Sequence, residues 1–147
     1  LTKSQAIGIR TADCVPIILL GERNCAVIHA GWRGLAGGIV ERSVSKLIDR
    51  GEKLSAFIGP CAGRGRYEVG EELIEKLPDG IFQPLGNGKY LLDLSQTTEN
   101  KLKFCGVTQV VSGAPCTISN LDYHSYRRDG SPVGSNLAFV SALAPLE

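Results

Sequence analysis

The stretch CAVIHAGWRGLAGGIVERSVSKLIDRG, residues 25–51, decides how the chain is read. Residues 25–30 are a short apolar run of strand type, ending at Gly31. Beyond the glycines at 31 and 34, apolar residues at 35, 36, 39, 40, 44, 47 and 48 recur at helical spacing. That periodicity predicts a helix over 35–50, ended by Gly51. A strand, a glycine-rich turn and a helix in succession form an α/β unit whose turn is a natural place for a site.

Working outward, VPIILL at 15–20 reads as a buried strand, with Pro16 near its start where a missing N–H is tolerated. Residues 21–24 have the composition of a hairpin turn, and 6–9 are short and β-like. Downstream, residues 54–58 predict a strand broken by Gly59 and Pro60. A short acidic helix is expected over 69–77, stopped by Pro78, then a loop over 82–89 and a strand over 90–94. Ser95 is the expected cap of a helix running to about Cys105, with Gly106 just beyond it. Residues 107–111 predict a strand, 116–128 are mixed, and the apolar tail over 136–143 fits either helix or strand. No repeat and no linker divides the chain, so residues 1–147 are expected to form a single domain.

Sixteen Lys and Arg against fifteen Asp and Glu leave a formal charge of +1, which gives no reason to expect nucleic acid or an anionic membrane. The longest apolar run, at 15–20, is far short of the roughly 20 residues a membrane-spanning helix needs. Five widely separated cysteines, none in a CxxC pair, point to a reducing, cytoplasmic setting. There is no methionine, so Leu1 is expected to follow a processing site, the edge of a fragment, or a further N-terminal segment.

Three clusters carry chemistry. His29 ends its strand immediately before Gly31, Trp32, Arg33 and Gly34. The glycines permit close approach of a ligand, Arg33 supplies a forked cation for phosphate or carboxylate, and Trp32 offers a flat apolar wall. Cys14 lies in a turn between strands, so thiol and imidazole can meet at one end of a sheet. Together they suit Zn²⁺ or copper, or equally a Cys–His nucleophile pair. The second cluster, residues 58–70, joins glycines to Arg64 and Arg66 as an anion-binding concavity, with Cys61 expected to pack rather than react. The third, residues 123–130, holds His124, Arg127 and Arg128 among aromatics.

Six motifs in order, TADCVP (11–16), HAGWRG (29–34), IGPC (58–61), YEVG (67–70), Asp93 with Leu94, and SYRRDG (125–130), resemble the polyphenol oxidoreductase "multicopper laccase" family, now better described as purine nucleoside phosphorylases. The resemblance implies an α+β fold, a mixed-sheet α/β/β/α sandwich shared with the catalytic domain of cytotoxic necrotizing factor. It implies a zinc (or copper) ion held by one cysteine and two histidines. Cys14 matches the cysteine and His29 one of the histidines; the second histidine lies upstream of the TADC motif, so an N-terminal part of the family fold is expected to be absent. His124 does not fall on a ligand position.

The implied chemistry is phosphorolysis of adenosine, inosine, guanosine and methylthioadenosine, with adenosine deamination as a second activity. On that reading the partners are purine nucleosides and phosphate. Arg33, Arg127 and Arg128 suit phosphate, because a guanidinium matches two of its oxygens; Trp32 walls the substrate site. Asp13, beside Cys14, is the candidate supporting or general-base group. Three rivals stand beside this: a copper phenol oxidase, which needs far more histidines than the two present; a Cys14–His29 hydrolase acting on peptidoglycan precursors; and a binding module without turnover.

Overall fold

The structure, a computed structural model, describes residues 5–48 and 53–141. Its centre is a four-stranded sheet in the order β3-β2-β4-β8, formed by β2 (Val15–Leu20), β3 (Cys25–Ala30), β4 (Ser55–Ile58) and β8 (Gln109–Val111). β2 pairs antiparallel with both β3 and β4, while β8 runs parallel to β4, so the sheet is mixed. Alternation along β2 sends Val15, Ile17 and Leu19 fully into the core. That face is covered by α2 (Ile39–Ile48), through Val40, Val44 and Leu47, and by α4 (Leu94–Phe104), through Leu94 and Leu102. Near the other face lies an antiparallel ribbon of β1 (Ala6–Thr11) and β9 (Asn136–Ser141). A second small sheet, β5-β7-β6, consists of β5 (Glu68–Gly70), β6 (Ile81–Gly86) and β7 (Lys89–Asp93). The fold is α+β with mixed sheets, as the resemblance implies.

Several boundaries differ from the sequence reading. The helix expected over 35–50 is two: α1 (Trp32–Ala36) and α2, broken at Gly37 and Gly38, the latter at φ +74°. Its expected end at Arg50 and Gly51 lies outside the described residues, as do Leu1 and the tail beyond Ser141. The acidic segment 69–77 divides into β5 and a shorter helix, α3 (Glu72–Lys76). Residues 82–89 are not loop: β6 pairs with β7 through a two-residue turn at Asn87 and Gly88, both at positive φ. Pro84 is tolerated there because β6 is an edge strand. The cap of α4 is Asp93, not Ser95; its Oδ1 accepts from the Gln96 N–H at 2.9 Å. The tail settles as strand β9.

One buried cation ties the helical layer together. The Lys101 side chain is only 9% exposed, and its Nζ donates to Glu41 on α2 at 2.8 Å and to Asp79 at 2.5 Å. Burial pulls this ammonium down, but hydrogen bonds to Asp79 and Glu41 outweigh it and leave the pKa above the ordinary 10.5. A raised pKa means the contribution to stability is complete below 10.5 and is lost as pH climbs beyond it. Lys101→Met leaves two carboxylates unpaired, both partly exposed to water. It is therefore expected to cost about 1–2 kcal/mol, less than a wholly buried pair. Urea unfolding at pH 7 measures the loss, and the gap between wild type and variant should narrow as pH rises past 10.5.

Candidate active-site cleft

β2 begins where the TADC turn ends and β3 stops at the glycine of HAGWRG. In the register Val15↔Ala30 and Pro16↔His29, residues 14 and 31 are the next pair along. Cys14 and His29 are thus diagonal neighbours at one end of the sheet, on the face away from α2 and α4. Gly31 stands against the thiol: a Cβ there would lie 2.8 Å from Cys14 Sγ. Both residues line a cleft of about 480 Å³, together with Asp13, Trp32, Arg33, Tyr67, Tyr126 and Arg127.

The walls come from elements that each present one charge or one ring. Arg33, on α1, lies with its guanidinium 4.3 Å from the centre of the Trp32 ring, and Lys76 Nζ sits 5.9 Å from the same ring. Across the cleft, α5 (Tyr126–Asp129) carries Arg127, whose guanidinium covers the Tyr67 ring at 4.7 Å and donates to the Glu68 carbonyl at 2.7 Å. Burial pushes the Tyr67 phenol up, and Arg127 pulls it partly back, so the phenol stays protonated near neutrality. Tyr67 was not among the residues singled out for the site, although it begins the YEVG motif. An aromatic in a run of glycines and arginines was the available signal.

Of the two roles expected of Asp13, supporting group or general base, its contacts fit the first. It is 7% exposed and sits at φ +91° in the turn between β1 and β2. Its Oδ1 accepts from the Thr117 hydroxyl at 2.7 Å and its Oδ2 from the Arg127 backbone N–H at 2.6 Å. Its backbone carbonyl accepts from Ala62 N–H at 2.8 Å. With both carboxylate oxygens engaged, Asp13 is the bracket that holds the start of α5 against the TADC turn, a positioning residue.

Arg128, expected beside Arg127 at the substrate, is turned to the scaffold instead. Its Nε and one terminal nitrogen grip Asp129 at 2.7 Å each, and the guanidinium also donates to the carbonyls of Thr117 at 2.8 Å and Tyr123 at 2.8 Å. It ties a loop together and does not line the cleft. His124 is likewise elsewhere, its backbone exchanging hydrogen bonds with the Asn136 side chain at 2.9 and 2.8 Å. Arg64 faces a separate depression beside β6, and Arg66 is exposed. Cys61 is buried, and burial raises its thiol to about 12.

Desolvation, with Asp13 adding to it, also pushes the Cys14 thiol up. A thiol and an imidazole suit a zinc ion chemically, but they are two donors where a catalytic zinc takes three. Among the described residues no group of three or more His, Cys, Asp or Glu side chains is placed to hold a metal.

The sequence matches the family model described as multi-copper polyphenol oxidoreductase laccase over residues 1–142. It is similar to a purine nucleoside phosphorylase of Aquifex aeolicus, at 39% identity over 86% of this chain and 61% of that one. It is also similar to the purine nucleoside phosphorylase YfiH of Escherichia coli, at 35% identity over 87% of this chain and 56% of the other. Among solved structures, YlmD of Geobacillus stearothermophilus superposes with a TM-score of 0.86 at 28% identity, covering 95% of this chain and 57% of that one. Neisseria meningitidis NMB0706 gives 0.82 at 30% identity, covering 95% and 61%. The chain therefore spans little more than half the length of the relatives it matches.

Proposed function

Because the chain belongs to the multi-copper polyphenol oxidoreductase laccase family, we propose that its cleft serves phosphorolysis of purine nucleosides. Relatives sharing 35–39% of its residues carry the name purine nucleoside phosphorylase. The observation that carries the reading is one cleft holding two arginines, Arg33 and Arg127, against aromatic walls at Trp32 and Tyr67. A purine is a flat aromatic ring and phosphate an anion with oxygens spaced for a guanidinium fork. No helix of the described residues is long and apolar enough to cross a membrane.

In this reading phosphate sits between Arg33 and Arg127 and attacks C1′ of the ribose as the base departs. Trp32 and Tyr67 hold the purine and the sugar, exclude water from the reacting carbon, and so favour phosphate over hydrolysis. Asp13 fixes Arg127 by its backbone N–H, setting the spacing between the two cations. Adenosine, inosine, guanosine and methylthioadenosine all present the same glycosidic bond and fall within the class. Cys14 and His29 would supply two ligands of a zinc ion (copper being the soft-ligand alternative), with a third donor from outside the described residues. Such an ion lowers the pKa of a bound water, the chemistry that adenosine deamination needs.

Consumption of inosine or adenosine by the full-length protein should therefore require phosphate and yield free base with a pentose phosphate. Base release that proceeds equally well without phosphate would identify a hydrolase. Arg33→Lys is expected to raise the KM for phosphate about tenfold with a smaller effect on kcat, because an ammonium cannot make the planar two-bond contact. Initial rates over a phosphate titration at saturating nucleoside measure this.

A further inference from the structure

Cys61 and Cys116 lie where two loops behind the cleft meet, and we propose that they form a redox pair, with Cys116 the thiol that reacts with a hydroperoxide and Cys61 the thiol that closes the disulfide. The two residues face each other as an isolated parallel β-bridge, clamped by the Thr117 N–H donating to the Cys61 carbonyl at 2.9 Å. Strands paired in this way lie about 4.8 Å apart. That spacing falls within the roughly 4.4–6.8 Å of Cα separation that disulfides span. All five cysteines are free thiols.

The two thiols are unequal. Cys61 is 4% exposed, whereas Cys116 is only half-buried. The Gly63 N–H points at Cys116 Sγ from 3.1 Å, and glycine is needed there, because a Cβ would come within 2.9 Å of the Cys116 Cβ. Burial raises the Cys116 thiol, but hydrogen bonds from Ser119, Gly63 and Ile118 more than offset it and bring it below the ordinary value. Cys61, held near 12, stays protonated. Reactivity toward peroxide follows thiolate character and access, which assigns the first step to Cys116.

The chemistry balances in two steps. The Cys116 sulfur attacks one oxygen of the hydroperoxide, the O–O bond breaks, and the other oxygen leaves protonated, giving a sulfenic acid. The Cys61 sulfur then attacks Cys116 Sγ; the S–O bond breaks and the hydroxyl departs as water with the Cys61 proton. The two sulfurs lose two electrons in all, and the peroxide is reduced. Only the small thiolate fraction of a thiol held near 12 can attack, its proton leaving with the hydroxyl, so the second step is the slower one. The link would fix Thr117, the next residue, whose hydroxyl donates to Asp13.

Treating the full-length protein with dilute hydrogen peroxide, then titrating thiols after denaturation and mapping peptides, tests the pair. Thiols of this chain should fall from five to three, with residues 61 and 116 recovered in one cross-linked species and all five thiols restored by dithiothreitol. Cys116→Ser should give no link, and Cys61→Ala should leave a sulfenic acid at 116 that dimedone captures. Mapping the wild-type protein needs neither variant. A link joining any other two cysteines, or Cys116 oxidised to sulfinic acid with Cys61 still free, would overturn the proposal.

Discussion

Asp13→Ala should be among the most damaging single substitutions in this chain, removing about 3–5 kcal/mol of stability and emptying the cleft of function. The substitution orphans the Thr117 hydroxyl, on a residue with no exposure, and the Arg127 backbone N–H. The buried Thr117 hydroxyl left without an acceptor costs about 1–3 kcal/mol, and the part-buried Arg127 N–H costs less because water can reach it. Alanine must also adopt φ +91°, which adds about 1 kcal/mol of strain. For a domain of this size the loss corresponds to a fall in Tm of roughly 10 °C. Asp13→Asn separates the bracket from the charge. Asparagine tolerates left-handed backbone, its oxygen can accept from Arg127, and its amide can donate to a rotated Thr117 hydroxyl. The asparagine variant should keep most of the stability and a good part of the phosphate affinity, where a general base would have lost its activity. Urea unfolding with an unchanged m-value, set beside phosphate titration, distinguishes the two roles. A loss below about 1 kcal/mol in Asp13→Ala would mean the bracket contributes little.

How far the sequence could be read depended on whether the governing interactions were local. Strands β2 and β3 matched their expected bounds because continuous apolar runs flanked by turn residues leave few alternatives. The juxtaposition of Cys14 and His29 followed from the same two strands, since a hairpin of known register fixes which ends meet. β6 was read as loop even though Asn87-Gly88 is the strongest short-range hairpin signal. An edge position, invisible to a local reading, is what makes Pro84 acceptable. The roles of Asp13 and Arg128 were also out of reach. Asp13 meets partners more than 100 positions away. Arg128 looks identical to Arg127 in the sequence, yet a one-residue step on a single helical turn aims one guanidinium at the cleft and the other at Asp129 and loop carbonyls. Residue type named the candidates; only the packing could divide them between cleft and scaffold.

The cleft itself turns on a glycine, and Gly31→Ala should disable it while leaving the fold in place. Gly31 stands at φ −78° and ψ 172°, which alanine adopts freely, so its backbone gives no reason for glycine. The reason is space. An added methyl would lie 2.8 Å from Cys14 Sγ, and nothing else but Cys14 Cβ, at 3.9 Å, comes within 4 Å. The sulfur must therefore rotate away from its place in the cleft that it lines with His29, and no other neighbour has to move. Losing glycine at the start of α1 costs only a few tenths of a kcal/mol, so unfolding should shift by less than about 1 kcal/mol. The consequence falls on whatever uses the thiol and imidazole together. Displacing a ligand from its supported position typically weakens metal binding about 10–100-fold, and that is the expected loss of zinc affinity in the full-length protein. Competition with a chelating dye measures it, with far-UV circular dichroism as the check on folding. Zinc binding that is undiminished in a folded Gly31→Ala protein would show that the Cys14 thiol is not a ligand, and the role of this end of the sheet would then rest on its arginines and rings alone.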